Sequence, residues 1–217
     1  MPYTYVLIEG KHGKALGVAM TLPEEIQGYE NSIEEPSIEA FIEKADSLNV
    51  IERTLGLAAI NAVSQYYIDL SEAEWVDAVN ILDDGIGKVA VIGNMAPIVK
   101  ALREKGYDVY VFERNPKLWD RKTLSDALEY WLLPEVDAVI ASATCIVNGT
   151  LDMILDRAKN AGVILLTGPT GQVLPEFLRG TGVTHVAAMK VVDIDRAIEK
   201  LKLGCFRGSQ KRAGSTQ

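Results

Sequence analysis

The residues best suited to chemistry in this chain sit in four short polar stretches, each behind an apolar run. The fullest follows Val136-Asp137-Ala138-Val139-Ile140-Ala141, a pattern that suits a strand buried on both faces of a parallel sheet. Behind it, Ser142, Thr144, Cys145, Asn148, Gly149 and Thr150 supply hydroxyl, thiol and amide groups, and a helical pattern begins at Leu151. Polar groups at the carboxyl end of a buried strand, ahead of a helix, mark where open α/β sheets bind ligands. Thr150 suits an N-cap and Asn148-Gly149 a turn, so free N–H groups and the helix dipole would favour an anion there. The competing reading is a capped helix with no ligand. Cys145 is either a ligand or nucleophile, or a small buried thiol.

The second stretch, Gly93-Asn94-Met95-Ala96-Pro97, stands where a dinucleotide-binding fold places G-x-G-x-x-G, yet it keeps only Gly93. Without the second glycine the backbone cannot approach a pyrophosphate as closely, so the loop is a plain turn or a differently shaped ligand contact. The third is Glu113-Arg114-Asn115-Pro116. Glu113 falls about 20 positions after Gly93, where an acid would reach a ribose hydroxyl or simply meet solvent or an arginine. The fourth, Thr167-Gly168-Pro169-Thr170-Gly171-Gln172, reads as a rigid binding wall or an ordinary turn. Apart from these, Asn61 is a lone amide in the small apolar run Gly56 to Ala62. If buried it must find partners, through a helix–helix hydrogen bond or as a polar finger into a cleft shared with a second domain.

Familiar catalytic patterns are missing. There is no H-E-x-x-H, C-x-x-C, G-x-S-x-G or Walker loop, and His12 and His185 lie far apart. A closed zinc site is therefore not expected, although oxygen ligands such as Glu113 could hold a divalent metal ion. A net charge of −8 argues against a general nucleic-acid partner. No apolar run approaches the roughly 20 residues of a membrane span, and the N-terminus lacks a signal-peptide pattern. Two cysteines fit a reducing cytoplasm. The acidic run from Glu24 to Glu52, opposed only by Lys44, reads as a solvated face or as a cation-attracting mouth.

The elements that must position these loops divide the chain in two. A hairpin over residues 3–22 and helices over 38–47, 49–67 and 72–82 form a smaller α+β unit, residues 1–86. The last helix is opened by the capping pair Ser71 and Glu74. From residue 87 to 205, strands over 88–92, 108–112, 136–141, 163–166 and 184–189 alternate with helices over 97–105, 125–132, 151–160, 174–179 and 194–203. That alternation is the signature of an α/β parallel sheet flanked by helices. Residues 206–217 read as a disordered tail.

The matching stretches Val89 to Gly93, Phe112 to Pro116, Leu133 to Ile140, Thr144 with Asn148 to Leu151, and Gly168 to Thr170 resemble a family of uncharacterised prokaryotic proteins. That family is described as heavy-metal chelation proteins. The resemblance implies a Rossmann-like domain preceded by one similar to the N-terminal domain of enolases, with the site in their shared cleft. Chelation is itself an inference in that family. One departure is Asn94-Met95-Ala96-Pro97, where a more aromatic Gly-x-Phe-Pro turn is expected.

Taken together, the sequence points to a small-ligand or metal-chelate binding protein, with turnover undecided and a homo-oligomer open. The expected contacts are Gly93, Asn94, Met95, Glu113, Arg114, Asn115, Thr144, Asn148, Gly149, Thr150, Gly168, Pro169, Thr170 and Asn61. The alternative is an enzyme holding S-adenosylmethionine or a dinucleotide in the same cleft. A third reading is an adaptor that recruits partners through its acidic run and basic tail.

Overall fold

The computed structural model describes residues 3–28, 30–69, 77–83, 85–204 and the backbone of 210–212. Strands β1 (Tyr3–Gly10) and β2 (Gly13–Met20) form an antiparallel hairpin. Two helices follow, α1 (Ile38–Ile42), capped by Ser37, and α2 (Val50–Tyr67), capped by Asn49. The first is shorter than its periodicity suggests. The expected capping pair Ser71 and Glu74 lies outside the described residues, and of the helix expected over 72–82 a 3-10 turn, Ala78–Ile81, is described.

Alternation along β2 sends its residues to two different partners. Ala15, Gly17 and Ala19 face α2, where a Cβ on Gly17 would lie 2.0 Å from the Ala62 backbone nitrogen. Helix and strand therefore meet backbone to backbone through glycine and alanine, as the small-residue run of α2 predicts. Leu16 and Val18 face the other way, onto strand β9 and helix α7, defined below.

The second unit is a six-stranded, all-parallel sheet. It comprises β3 (Lys88–Ile92), β4 (Asp108–Glu113), β5 (Thr123–Ser125), β6 (Ala138–Ser142), β7 (Val163–Thr167) and β8 (His185–Ala187). Their spatial order is β5-β4-β3-β6-β7-β8, the doubly wound order whose switch point lies between β3 and β6. The central strands are buried on both faces, which is why they read as unbroken apolar runs. Helix α3 (Ala96–Glu104) covers one face, together with Val79 and Leu82. Helices α4 (Glu129–Leu132), α5 (Thr144–Val147) and α6 (Leu151–Arg157) cover the other through Leu133, Cys145, Ile154 and Ala158.

The C-terminal part departs from the sequence reading in three ways, and β5 was not expected at all. The strand expected over 184–189 is two strands, β8 and β9 (Met189–Val191), in different sheets. Helix α7 (Ile194–Lys202) leaves the parallel sheet and packs Ala197 against Leu16 and Val18 of the hairpin. Within the tail expected to be disordered, β10 (Gln210–Arg212) pairs antiparallel with β9. The chain thus returns to its own N-terminal unit, whose hairpin is covered on both sides.

Candidate functional site

Because all six strands run parallel, the four polar loops leave the same edge of the sheet, in the lateral order β4, β3, β6, β7. The N-terminal unit rests on this edge at two flanks. On the β7 flank the joint is a buried amide network. Asn61, 2% exposed, donates from Nδ2 to the carbonyls of Val18 (2.8 Å) and Thr170 (2.7 Å). Gln172 accepts the Val18 N–H at 2.9 Å and donates to the Met189 carbonyl at 3.1 Å. Thr170 Oγ1 accepts the Met20 N–H at 3.0 Å. The open edge of β2 is thereby satisfied by side chains from the loop after β7. One sequence reading made Asn61 a polar finger into a shared cleft; in the fold both bonds of its Nδ2 go to backbone carbonyls, one in each unit.

Gly168 makes this loop possible, with φ at +110° and its N–H donated to Ala187. Pro169 follows as the first residue of a 3-10 turn and is half-buried. Arg53 forms a neighbouring tie from α2, donating from Nη1 to the Val147 carbonyl at 2.8 Å. Gly149, at φ +73°, passes close beneath it, where a Cβ would lie 3.3 Å from Nη1.

On the β4 flank the joint is ionic. Arg114 bridges Glu25 of the N-terminal unit (2.8 Å) and Asp126 (2.8 Å). Asn115 donates to Glu24 at 3.3 Å. The acidic run is therefore not simply a solvated face. Glu25 joins the units, and buried Glu52 accepts from Ser32 N–H (2.6 Å) and Ser47 Oγ (2.7 Å), tying the irregular segment to α2. These bonds hold the Glu52 carboxyl down, at a pKa of about 2.

Glu113 does not present a free carboxylate. One oxygen accepts the Asn94 N–H at 2.9 Å and the other the Asn115 N–H at 2.8 Å. It locks the loops after β3 and β4 together, and Asn94 completes the lock by donating to the Leu118 carbonyl at 2.6 Å. Gly93 has φ at +88°, and a Cβ there would lie 3.0 Å from that of Ser142, so the loops after β3 and β6 touch at the switch point. Met95 turns away and packs into the core on the α3 face.

The loop after β6 is shaped differently from its sequence reading. Thr144 to Val147 form a helical turn, and the Asn148, Gly149 and Thr150 N–H groups are bonded back to Thr144, Ile146 and Cys145. Thr150 makes no side-chain cap. Its hydroxyl and N–H both go to Asn148 Oδ1, at 2.8 and 3.1 Å. These three N–H groups ahead of α6 are thus consumed internally. What remains half-buried at the switch point are the hydroxyls of Ser142 and Thr144, 2.9 Å apart. Cys145 is buried beneath them, and burial raises its thiol to about 12, so it is a protonated core thiol.

Sequence reasoning missed Glu129. It is 2% exposed yet has no hydrogen-bond or ion-pair partner among the described residues. Burial, then the nearby Asp126 charge, raises its carboxyl to about 7, against the pull of Arg114. The available signal was its spacing. Glu129 stands three and four positions before Leu132 and Leu133, on the apolar stripe of its helix. Among the described residues, no three His, Cys, Asp or Glu side chains converge as a group that could hold a metal ion.

Comparison with known proteins places the chain. Residues 75–217 match the DUF364 family model and residues 1–64 the DUF4213 model, both described as "Putative heavy-metal chelation". The chain belongs to the DUF364 family. An uncharacterised protein of Methanocaldococcus jannaschii is 50% identical, over 98% of this chain and 85% of that one. A DUF364 protein of unknown function from Pyrococcus horikoshii has a crystal structure 65% identical to this chain. It matches with a TM-score of 0.97, over 100% of this chain and 90% of that one. A second DUF364 structure, from Desulfitobacterium hafniense, shares the fold at 23% identity. Its TM-score is 0.75, over 99% of this chain and 88% of that one. No helix among the described residues of this DUF364 chain is long and apolar enough to cross a membrane.

Proposed function

We propose that this DUF364 protein binds a small metal chelate at the switch point of its sheet, beneath the N-terminal unit. The observation that carries this reading is the placement of the two joints. One grips the β4 flank through Arg114 and Glu25, and the other the β6–β7 flank through Arg53, Asn61 and Gln172. Between them in the strand order lies the end of β3, next to that of β6, which brings the Asn94 loop beside the Ser142 and Thr144 hydroxyls. Such a crevice outside the carboxyl ends of the strands is where doubly wound sheets take ligands.

The donor chemistry favours a chelate over a bare heavy-metal ion. Soft metals prefer thiolate and imidazole, while the residues here offer hydroxyls, amides, carboxylates and one protonated thiol. A metal that enters already wrapped in an organic ligand needs hydrogen bonds and charge from the protein, and these are present. Calorimetry with Ni²⁺ alone and with Ni²⁺–citrate tests the reading. Saturable 1:1 heat with the citrate complex and none with Ni²⁺ alone is expected. Absence of heat with the complex contradicts it.

The strand order also supports a nucleotide-type cofactor as a second reading. Glu113, the residue that would reach a ribose, already accepts a backbone N–H on each oxygen, which weakens that reading. A thermal shift with S-adenosylmethionine or NAD that persists in EDTA would favour it.

A further inference from the structure

Glu129 is a buried carboxylate with nothing to bind. The charges near enough to act on it are those of Asp126, Arg114 and Glu113, and it acts in turn on the Cys145 thiol. The one cation among them, Arg114, is already shared between Glu25 and Asp126. Among the described residues, the unpaired polar side-chain atoms sealed away from solvent are Ser64 Oγ and Gln65 Oε1, and the Glu129 oxygens are not among them. Its carboxyl therefore keeps a narrow contact with solvent although the residue is 2% exposed. Glu25 and Asp126 already share the Arg114 guanidinium, and the charges of Asp126 and Glu113 both act against ionising Glu129, so the locality is short of positive charge. A buried carboxylate without a partner is costly, and a cation placed against it recovers that cost.

We propose that Glu129 anchors a positively charged nitrogen of the ligand, an ammonium or amidinium group that enters beside the Glu25–Arg114–Asp126 bridge. The inference rests on the ligand site proposed above and names one chemical feature of what occupies it, a chelator or cofactor carrying a cationic amine. Asp126 and Glu113 contribute attraction, while Arg114 limits how close a second cation can lie. Glu129 acts as a binding residue, and no bond is made or broken.

The probe is 1,4-diaminobutane, titrated into the full chain with the glutamate carboxyls labelled with ¹³C. Alone, the Glu129 resonance titrates at about 7. With saturating probe its midpoint falls by about one pH unit or more, because the cation favours the ionised form. Glu129→Gln weakens probe binding at least about tenfold. Glu34→Gln, which removes an exposed acid from the N-terminal run, leaves it unchanged and so separates specific pairing from general attraction to an acidic protein. No binding to the parent chain, equal binding to Glu129→Gln, or a fixed Glu129 midpoint overturns the proposal. If Ni²⁺–citrate still binds in any of those cases, the anchor alone is wrong. If neither probe binds, the site itself is wrong.

Discussion

On the β7 side, the N-terminal unit joins the sheet through neutral, buried amides, each with good partners on both units: Asn61 to Val18 and Thr170, Gln172 to Val18 and Met189. On the β4 side it joins through Arg114, Glu25 and Asp126, all of which reach solvent, next to a buried carboxyl group with no side-chain partner among the described residues. That network is uncharged and mostly paired, although Gln65 beside it, whose Nε2 meets the Gln172 carbonyl at 3.5 Å, leaves its buried Oε1 without a partner; a neutral buried network responds little to salt or pH. A partly exposed ion bridge beside an unpaired acid is weak and sensitive to both. The contrast makes the β7 flank the fixed joint and the β4 flank the side where a ligand's charge can change the energetics.

This difference can be tested by breaking each joint. The largest loss is expected from Asn61→Ala or Gln172→Ala. Each strands two buried backbone groups, at about 3 kcal/mol of folding stability, read by chemical denaturation. If either costs nothing, the amide joint is not what holds the units.

The second effect is a dependence on pH. Glu129 moves from about 4.5 in the unfolded chain to about 7 when folded, so between those values the folded chain keeps a proton that the unfolded chain has lost. Its contribution is full below about 4.5 and is lost as pH rises through about 7, reaching about 3 kcal/mol at most. Glu129→Gln should flatten this fall and be more stable than the parent at pH 8. Glu52 acts in the opposite sense. Its depressed pKa of about 2 gives stability that is present above about 4.5 and lost in strong acid, and Glu52→Gln should remove that acid sensitivity. Denaturation series across pH separate the two.

The smallest effect is expected at the ion bridge. Arg114→Ala should cost below about 1 kcal/mol at low salt and less at high salt, since the side chains of the bridge are 28–40% exposed. A loss as large as that of Asn61→Ala would mean that the two flanks do not differ in kind.

The central sheet was legible in the sequence because its strands are buried on both faces, so Val89 to Ile92 and Ala138 to Ala141 carry their own signal. β5 was missed because it is three residues long and half-buried. Helix α7 was found, but its destination was not, since periodicity records an apolar face and not what covers it. The loops fell at the edge where strand polarity put them, yet their chemistry did not follow from residue type. Glu113 and Asn148 turned inward to bind backbone, which depends on loop paths that no spacing reveals. Glu129 was overlooked although its spacing from Leu132 and Leu133 put it on the apolar stripe, because a charged residue type argues for solvent until the fold closes over it.

The most direct test is an anomalous difference map collected at the nickel edge from a crystal grown with Ni²⁺–citrate. A single strong peak between the Asn94 loop and the Ser142 and Thr144 hydroxyls, with the N-terminal unit above it, is the expected result. Peaks confined to the outer surface, with the switch point empty, would contradict a ligand site between the two units.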